Sequence, residues 1–265
     1  RQMCIRDSPY RNPKIIGSVK GIPEVLEKRN YNNVLIITDA GIRSLGLTER
    51  LEQTLKRSCI SYHIYDKTVA NPTTVNVDEA LHMYLDHDCQ AIIGFGGGSS
   101  MDCAKATAAR IAKPHQSLAQ MKGILKIHKK LPLLIAIPTT AGTGSEVTCV
   151  SVLSDHANGK KAPIVSEGFY PAAAIIDPEL TYTMPPQVTA GTGIDVLSHA
   201  IEGYWSKGHQ PICDVLAMHA AELVFKYVYR AYRKPDDEEA REKMCEASLI
   251  AGLAFTLPKT TSSHA

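Results

Sequence analysis

Apolar segments short enough to be buried strands alternate with helix-like segments along most of the chain, and this alternation restricts the possible folds more than any other feature. The strand-like segments read NNVLIITDA (32–40), ISYHIYD (60–66), QAIIGFGGG (90–98) and LPLLIAIPTT (131–140). Helical spacing of apolar residues follows each of the first three. Strands and helices joined by short connections are typical of a parallel sheet covered on both faces. We therefore predict an α/β fold built on a parallel sheet.

The last part of the chain has a different pattern, because from Thr189 onward the apolar residues recur only at helical spacing. Three segments have this spacing: IDVLSHAIEGYWS (194–206), PICDVLAMHAAELVFKYVYRAYRK (211–234) and DEEAREKMCEASLIAGLAF (237–255). Prolines punctuate the preceding stretch PELTYTMPPQ. We predict an α/β domain over residues 1–185 and the start of an all-helical domain over residues 186–265.

Composition is that of an ordinary globular chain, with 44% hydrophobic residues, 21% charged residues and a net charge of +2. The positive residues are scattered, whereas a nucleic-acid interface needs a clustered basic face. The seven cysteines are spread singly, which is typical of a reducing compartment. The sequence has neither an apolar run of membrane-spanning length nor a recognisable signal peptide. We expect a cytoplasmic protein without nucleic-acid or membrane partners.

A glycine-rich turn, GFGGGSSMD at 94–102, connects a predicted strand to a predicted helix. Glycines let the backbone approach a pyrophosphate closely, and a helix N-terminus supplies partial positive charge. The alternative is a tight packing turn. Asp39 follows the first strand, where a carboxylate can bind ribose hydroxyls and repel a 2′-phosphate, which favours NAD. The alternative for Asp39 is an N-cap on the next helix.

A second turn, PTTAGTGSE at 138–146, follows the next predicted strand. Its hydroxyls and exposed amides can hold phosphate and the nicotinamide carboxamide, and the alternative is a plain hydroxyl-rich turn. Ligands of parallel sheets bind at the carboxyl ends of the strands, so two such turns at consecutive strand ends favour a nucleotide site.

Asp195 and His199 are four residues apart in a segment that we predict to be helical, so they face the same way. A carboxylate and an imidazole without a nearby thiolate suit Fe²⁺ or Zn²⁺. The alternative is a buried polar pair that caps a helix. His209, in the loop after this helix, is a candidate proton relay, and its alternative is a solvated loop histidine.

Several motifs in this order together resemble the iron-containing (group III) alcohol dehydrogenases: NPT at 71–73, GGGS at 96–99, PTTAGTGSE, DPEL and DVLSHAIEGYWS. The resemblance runs from about Lys14 to the end of the chain. It implies a dehydroquinate synthase-like fold, with a nucleotide-binding α/β domain and a helical metal domain. It also implies interconversion of alcohols with aldehydes or ketones by NAD(P)H.

The resemblance also implies roles for individual residues. The implied cofactor-binding residues are Asp39, Asn71, Gly97, Gly98, Ser99, Asp102, Thr139, Thr140, Thr143 and Lys161. For Lys161 a solvated surface lysine is the alternative. The implied metal ligands are Asp195, His199 and His264, and the family has a fourth ligand, a histidine further along the chain.

These features together predict an NAD(H)- and Fe²⁺-dependent enzyme for small alcohols or aldehydes, with Zn²⁺ as the alternative metal. A homodimer or larger homo-oligomer is expected. The alternatives are a zinc glycerol dehydrogenase-like enzyme and a nucleotide-binding module without catalysis. RQMCIRDS at the start has no clear relation to the rest of the sequence, and we expect the chain to be a fragment that binds nucleotide without turnover. In that case apolar faces such as LIAGLAF (249–255) should be exposed.

Overall fold

The structure is a computed structural model that describes residues 12–124, 126–155, 160–256 and 258, without the side chains of residues 155 and 160–162. Its main sheet is six-stranded and parallel throughout the described residues, in the order β1-β9-β6-β4-β2-β3. These strands are β1 (Lys14–Ile16), β2 (Asn33–Ile37), β3 (Ser61–Tyr65), β4 (Ala91–Gly96), β6 (Leu133–Pro138) and β9 (Ala173–Ile175). The predicted parallel α/β fold is confirmed.

Helices cover both faces of this sheet, as its apolar strands require. They are α1 (Ile22–Glu27), α2 (Ala40–Ser44), α3 (Glu49–Arg57), α4 (Thr74–Asp86), α5 (Gly98–Ala112) and α6 (Leu118–Met121). Alternate residues of a strand face opposite sides, so Leu35 packs in the cluster containing α4 and α5. Its neighbour Ile36 packs in the cluster containing α1 and α3.

The sequence pattern over residues 41–58 suggested one helix, but the structure has two, α2 and α3. Gly46 lies between them with φ +69°, a left-handed conformation that glycine adopts without strain. The first helix is short, since it begins after its cap at Asp39 and ends at Ser44, just before this glycine.

A second, small sheet was not predicted from the sequence. It consists of β5 (Gly123–Ile124), β7 (Val150–Asp155) and β8 (Lys160–Val165), where β7 and β8 pair antiparallel and β5 joins β8 in parallel. Strands β1 and β9, which lie side by side at one end of the main sheet, were also missed, because each has only three residues.

Three long helices follow the sheet: α7 (Pro186–Trp205), α8 (Pro211–Arg233) and α9 (Glu238–Thr256). They share an apolar cluster that includes Val196, Val224 and Met244 and also contains Ala141, which precedes them in the chain. This all-helical region agrees with the predicted pattern. Helix α7 begins one residue after the boundary suggested at 185, and the division into two domains stays a prediction.

The expected exposure of LIAGLAF is wrong, since none of its seven residues is exposed. Ala251, Gly252 and Ala254 are buried, because α9 packs against both α7 and α8. The exposed large apolar side chains lie instead on other surfaces, including those of α7 and α8. Those on α8 are Ile212, Val215, Met218, Phe225, Tyr229 and Tyr232, and those on α7 are Val188, Ile194, Ile201, Tyr204 and Trp205. Within the described part of the chain, no helix is both long and apolar enough to cross a membrane.

Candidate nucleotide and metal site

The sheet has a topological switch point between β2 and β4. From β2 the chain passes to β3 on one side, and from β3 it returns to β4 on the other side of β2. The connections that leave β2 and β4 therefore diverge toward opposite faces and open a crevice at their carboxyl ends, where ligands of open α/β sheets bind. Asp39 and Gly96 flank this crevice.

Asp39 has two roles in this geometry. Its Oδ1 accepts a hydrogen bond from the Ile42 amide at 2.9 Å, so Asp39 is the N-cap of α2, as one interpretation of the sequence held. Its other oxygen is directed toward the glycine turn, since a Cβ atom at Gly96 would lie 3.5 Å from Oδ2. The cap therefore fixes the carboxylate at the crevice and leaves one oxygen for a ligand.

The glycine turn forms the floor of the crevice. Gly96 has φ +145°, which favours glycine, and Gly97 is the extended N-cap of α5. Among the described residues, no side chain caps α5 at Gly97. The positive end of the helix dipole is therefore available to an anion. Ser99 is tied to the preceding loop, because the Asn71 amide donates to its Oγ at 3.2 Å.

The second turn lies directly against the first. A Cβ atom at Gly97 would be 3.5 Å from Thr140 Oγ1, and one at Gly98 would be 2.9 Å from Thr143 Cγ2. Any other residue at position 98 would force the side chain of Thr143 to shift, because Cβ atoms essentially never make contacts under 3 Å. Thr139 is buried below the turn, and its hydroxyl has no hydrogen-bond partner in the described part of the chain. The two turns thus form one cradle of backbone and hydroxyl groups.

Asp102, on the first turns of α5, faces the second turn rather than the crevice. Its Oδ1 accepts from Ser145 Oγ at 3.0 Å and its Oδ2 accepts from the Val152 amide at 2.9 Å. Burial raises the pKa of Asp102, and the nearby Lys105 ammonium opposes that rise. Both carboxylate oxygens are engaged within the protein, which gives Asp102 a structural role, and its predicted contact with the cofactor stays a prediction.

Glu146, the last residue of the second turn, is buried at the junction with the helical region. It lines a cavity about large enough for one water molecule, together with Asp177, Cys245 and Ser248. Burial raises the pKa of Glu146 to about 7. In the sequence this residue stands out only as part of a motif, because a carboxylate in a hydroxyl-rich turn gives no signal of its burial.

The raised pKa of Glu146 predicts how the stability of the fold to unfolding changes with pH. A carboxyl group whose pKa is higher in the folded state stabilises the fold fully below its unfolded pKa near 4.5, and this stabilisation is lost as the pH rises through about 7. We expect the urea concentration at the unfolding midpoint of the wild type to decrease as the pH rises from about 5 to 8. For Glu146→Gln the decrease should be smaller. The exposed Glu222→Gln is the matched control. Identical pH slopes for wild type and Glu146→Gln would contradict the burial of an ionisable carboxyl.

Asp195 and His199 lie one turn apart on α7, as predicted. His199 is buried, and its ring stacks on Phe255 of α9 with centroids 4.4 Å apart. One carboxylate and one imidazole suit Fe²⁺ or Zn²⁺. Among the residues that the structure describes, no cluster of three or more His, Cys, Asp or Glu could hold a metal. The pair fits part of a metal site that needs further donors.

The sequence analysis also named His264, Lys161 and His209 as candidate site residues. His264 lies outside the described residues, as does the side chain of Lys161, whose backbone pairs with Ser154 in the β7–β8 hairpin. His209 is exposed, and its Nδ1 lies 3.1 Å from Asp214 Oδ2 at the start of α8. The proton-relay role of His209 stays a prediction.

The helix of Asp195 and His199 touches the nucleotide cradle through small residues. A Cβ atom at Gly142 of the second turn would lie 2.7 Å from Thr192 Cβ, and Thr192 precedes Asp195 by three residues on α7. The second turn therefore lies between the glycine turn and the helix that carries the candidate metal ligands.

A separate cleft of about 1060 Å³ lies near the amino ends of the strands, whereas the two turns lie at their carboxyl ends. Arg29, Tyr31, Lys129 and Leu133, where β6 begins, are among its lining residues. None of the residues predicted from the sequence lines this cleft, so its size does not make it the better candidate.

Family models match nearly the whole described chain. The model for iron-containing alcohol dehydrogenases matches residues 14–178, and the C-terminal model of the Fe-containing alcohol dehydrogenase family matches residues 189–265. The chain belongs to the iron-containing alcohol dehydrogenase family, which confirms the resemblance seen in its motifs.

Individual relatives agree with this assignment. Alcohol dehydrogenase 4 of Schizosaccharomyces pombe is 38% identical over 94% of this chain and 59% of its own length. The NAD-dependent methanol dehydrogenase of Bacillus methanolicus is 37% identical over 90% of this chain and 62% of its own length. The crystal structure of sulfoacetaldehyde reductase from Bifidobacterium kashiwanohense in complex with NAD⁺ matches with a TM-score of 0.87 and 48% identity, covering 96% of this chain and 68% of that one. The chain spans about three fifths of the two curated relatives.

Proposed function

We propose that this chain is the nucleotide-binding part, with the beginning of the metal-binding part, of an NAD(H)-dependent oxidoreductase that acts on small alcohols or aldehydes. One observation carries the proposal. Asp39, the glycine turn and the second turn, which follow three neighbouring strands, meet at the switch point of the sheet, and the second turn contacts the helix of Asp195 and His199.

Each part of the cradle has its own role in this proposal. The amides at Gly97–Ser99 bind the pyrophosphate, Asp39 binds ribose hydroxyls, and Thr140 and Thr143 close the cradle over the nucleotide. When bound, NAD(H) supplies or accepts the hydride, and a divalent ion supplies a Lewis acid for the substrate oxygen. Asp195 and His199 of α7 hold that ion, with further donors from outside the described residues.

We propose the substrate class from the names of the relatives, as a broad class without a particular alcohol or aldehyde. Two of them are named for methanol and sulfoacetaldehyde, and the latter relative is in complex with NAD⁺. Small alcohols and aldehydes are the chemistry that these names share. We propose Fe²⁺ as the metal from the family, with Zn²⁺ as the alternative that the same two donors accept.

For the 265-residue chain, which spans about three fifths of its two curated relatives, we propose NADH binding without turnover. A titration of NADH by fluorescence, with assays of short aldehydes on the same sample, tests both parts. Saturable binding without aldehyde reduction is the expected result. Robust reduction would contradict the need for further ligands, and a folded chain that binds no NADH would contradict the nucleotide site.

Cofactor preference gives a second test, through Asp39. Its carboxylate repels a 2′-phosphate, so we expect the wild type to prefer NADH to NADPH and Asp39→Gly to reduce that preference by about tenfold. Asp39→Asn is the matched variant, because asparagine is an equally good N-cap without the charge. It should reduce the preference like Asp39→Gly. Wild-type protein that binds NADPH as tightly as NADH would overturn this role of Asp39.

A further inference from the structure

Lys105 of α5 is buried, and its ammonium group is directed at the second turn. The side chain is 2% exposed, and Nζ lies within hydrogen-bond distance of four oxygens: Ser145 O at 2.7 Å, Ser145 Oγ at 2.9 Å, Val150 O at 2.9 Å and Thr148 Oγ1 at 3.2 Å. An ammonium group has three protons. All of them can therefore be used to hold the segment that runs from the second turn into β7.

Asp102 holds the same segment from one turn earlier on α5. It accepts hydrogen bonds from Ser145 Oγ and from the Val152 amide. The Ser145 hydroxyl thus donates to Asp102 and accepts from Lys105, which makes it the link between two oppositely charged groups. These three residues, Asp102, Lys105 and Ser145, form what we call the α5 bracket.

The α5 bracket holds the second turn, which contacts the nucleotide cradle, α7 and α9. Toward the nucleotide cradle, the Ser145 amide donates to Thr143 Oγ1 at 3.3 Å, and Thr143 lies against Gly98. Toward α7, Gly142 lies against Thr192. Toward α9, a Cβ atom at Gly144 would lie 2.7 Å from Gly252 Cα. Movement of the turn would therefore shift the cradle relative to the helix of Asp195 and His199.

We propose that the α5 bracket is a set of positioning residues that holds the second turn against the glycine turn and so keeps the nucleotide cradle closed on NAD(H). This role rests on the proposed function. It makes Lys105 and Ser145, neither of which was singled out from the sequence, contributors to cofactor affinity without a contact of their own to the cofactor.

Ser145→Ala tests the proposal, because it removes the shared hydroxyl and leaves Lys105 three of its four acceptors. We expect the Kd for NADH to rise about tenfold, and amide hydrogen exchange of residues 142–148 to accelerate about tenfold while that of β4 is unchanged. Thr148→Val, which removes one acceptor of Lys105, should change both quantities in the same direction by about threefold. Thr148→Val tests the same proposal if Ser145→Ala does not fold.

Two further variants separate positioning from general stability. Ser145→Thr keeps the hydroxyl and should return the Kd to within about threefold of the wild-type value. Thr107→Val removes a buried hydroxyl from the same helix, where Oγ1 donates to Cys103 O at 2.9 Å, and should leave both the Kd and the exchange of 142–148 unchanged.

The outcomes distinguish the two proposals. A folded Ser145→Ala protein with wild-type NADH affinity and wild-type exchange at 142–148 would overturn the α5 bracket and leave the proposed function intact. Accelerated exchange with unchanged NADH affinity would likewise overturn the positioning role. Wild-type protein that binds no NADH would overturn the proposed function, and the role of the bracket toward NAD(H) with it.

Discussion

Replacing Gly98 by valine is expected to weaken NADH binding by at least about 100-fold. A Cβ atom at this position would lie 2.9 Å from Thr143 Cγ2 and 3.0 Å from Thr143 Oγ1, so valine forces the two turns of the cradle apart. Overpacking of this kind typically costs about 1–3 kcal/mol. A 100-fold loss of affinity is about 2.7 kcal/mol, which lies in the upper part of this range, and we expect it because the same movement takes the first amides of α5 away from the pyrophosphate.

Gly191→Val provides the control for this substitution. Gly191 lies on α7, and a Cβ atom there has no atom within 4 Å, so valine should be accepted without a change in NADH affinity. Fluorescence titration of both variants, with circular dichroism to compare their folding, completes the comparison. Equal affinities of folded Gly98→Val and wild type would show that the glycine turn does not approach the nucleotide.

In a longer form of the protein that supplies the remaining metal donors, replacing His199 by alanine is expected to remove the bound divalent ion. The imidazole is one of the two donors on α7, and loss of a residue that merely orients a ligand already costs about 10–100-fold in metal affinity. Loss of a direct donor should cost at least about 100-fold. Metal content per chain, measured by mass spectrometry after gel filtration, is the readout.

Two variants control the His199 experiment. His209→Ala removes an exposed histidine that contacts Asp214 and should leave the metal content unchanged. His199→Gln fills more of the space against Phe255 than alanine does, which separates loss of the donor from loss of packing. Wild-type metal content in His199→Ala would rule out His199 as a ligand.

The centre of the fold could be predicted because its strands are strongly apolar. Val34, Leu35, Ile36 and Ile37 are all fully buried, with alternate residues on opposite faces, and only a strand covered on both sides accepts such a run. Strands β1 and β9 have three residues each, too few to show a pattern. Their place in the sheet depends on long-range pairing, of β9 with β6 and of β1 with β9, on which a local pattern carries no information.

The sequence indicated the two turns of the candidate site, but it did not indicate the buried side chains that hold the second turn in place. Glycines and threonines in the two turns have few other reasons to occur together at strand ends, so they indicated the cradle. Lys105 occurs in an alanine-rich helix, where a single lysine is ordinarily solvated. Its burial depends on oxygens supplied by a turn about 40 residues later, which no local pattern reveals.

The expected exposure of LIAGLAF failed for a related reason. An apolar segment near the end of a chain can find its partners earlier in the sequence, and α9 packs on α7, on α8 and beside Gly144. Small residues allow this close approach, since Gly252 would meet Val147 Cγ2 at 2.6 Å if it carried a Cβ atom. Ala251, Gly252 and Ala254 are therefore covered by residues within the described chain, and the larger apolar residues of the segment are partly buried.

A crystal structure of the 265-residue chain with NAD⁺ is the most direct test of the nucleotide site. We predict that the pyrophosphate lies within hydrogen-bond distance of the amides at Gly97–Ser99, with a ribose at Asp39 and the nicotinamide directed toward α7. NAD⁺ bound elsewhere, such as in the cleft lined by Arg29 and Lys129, would contradict the assignment of the cradle.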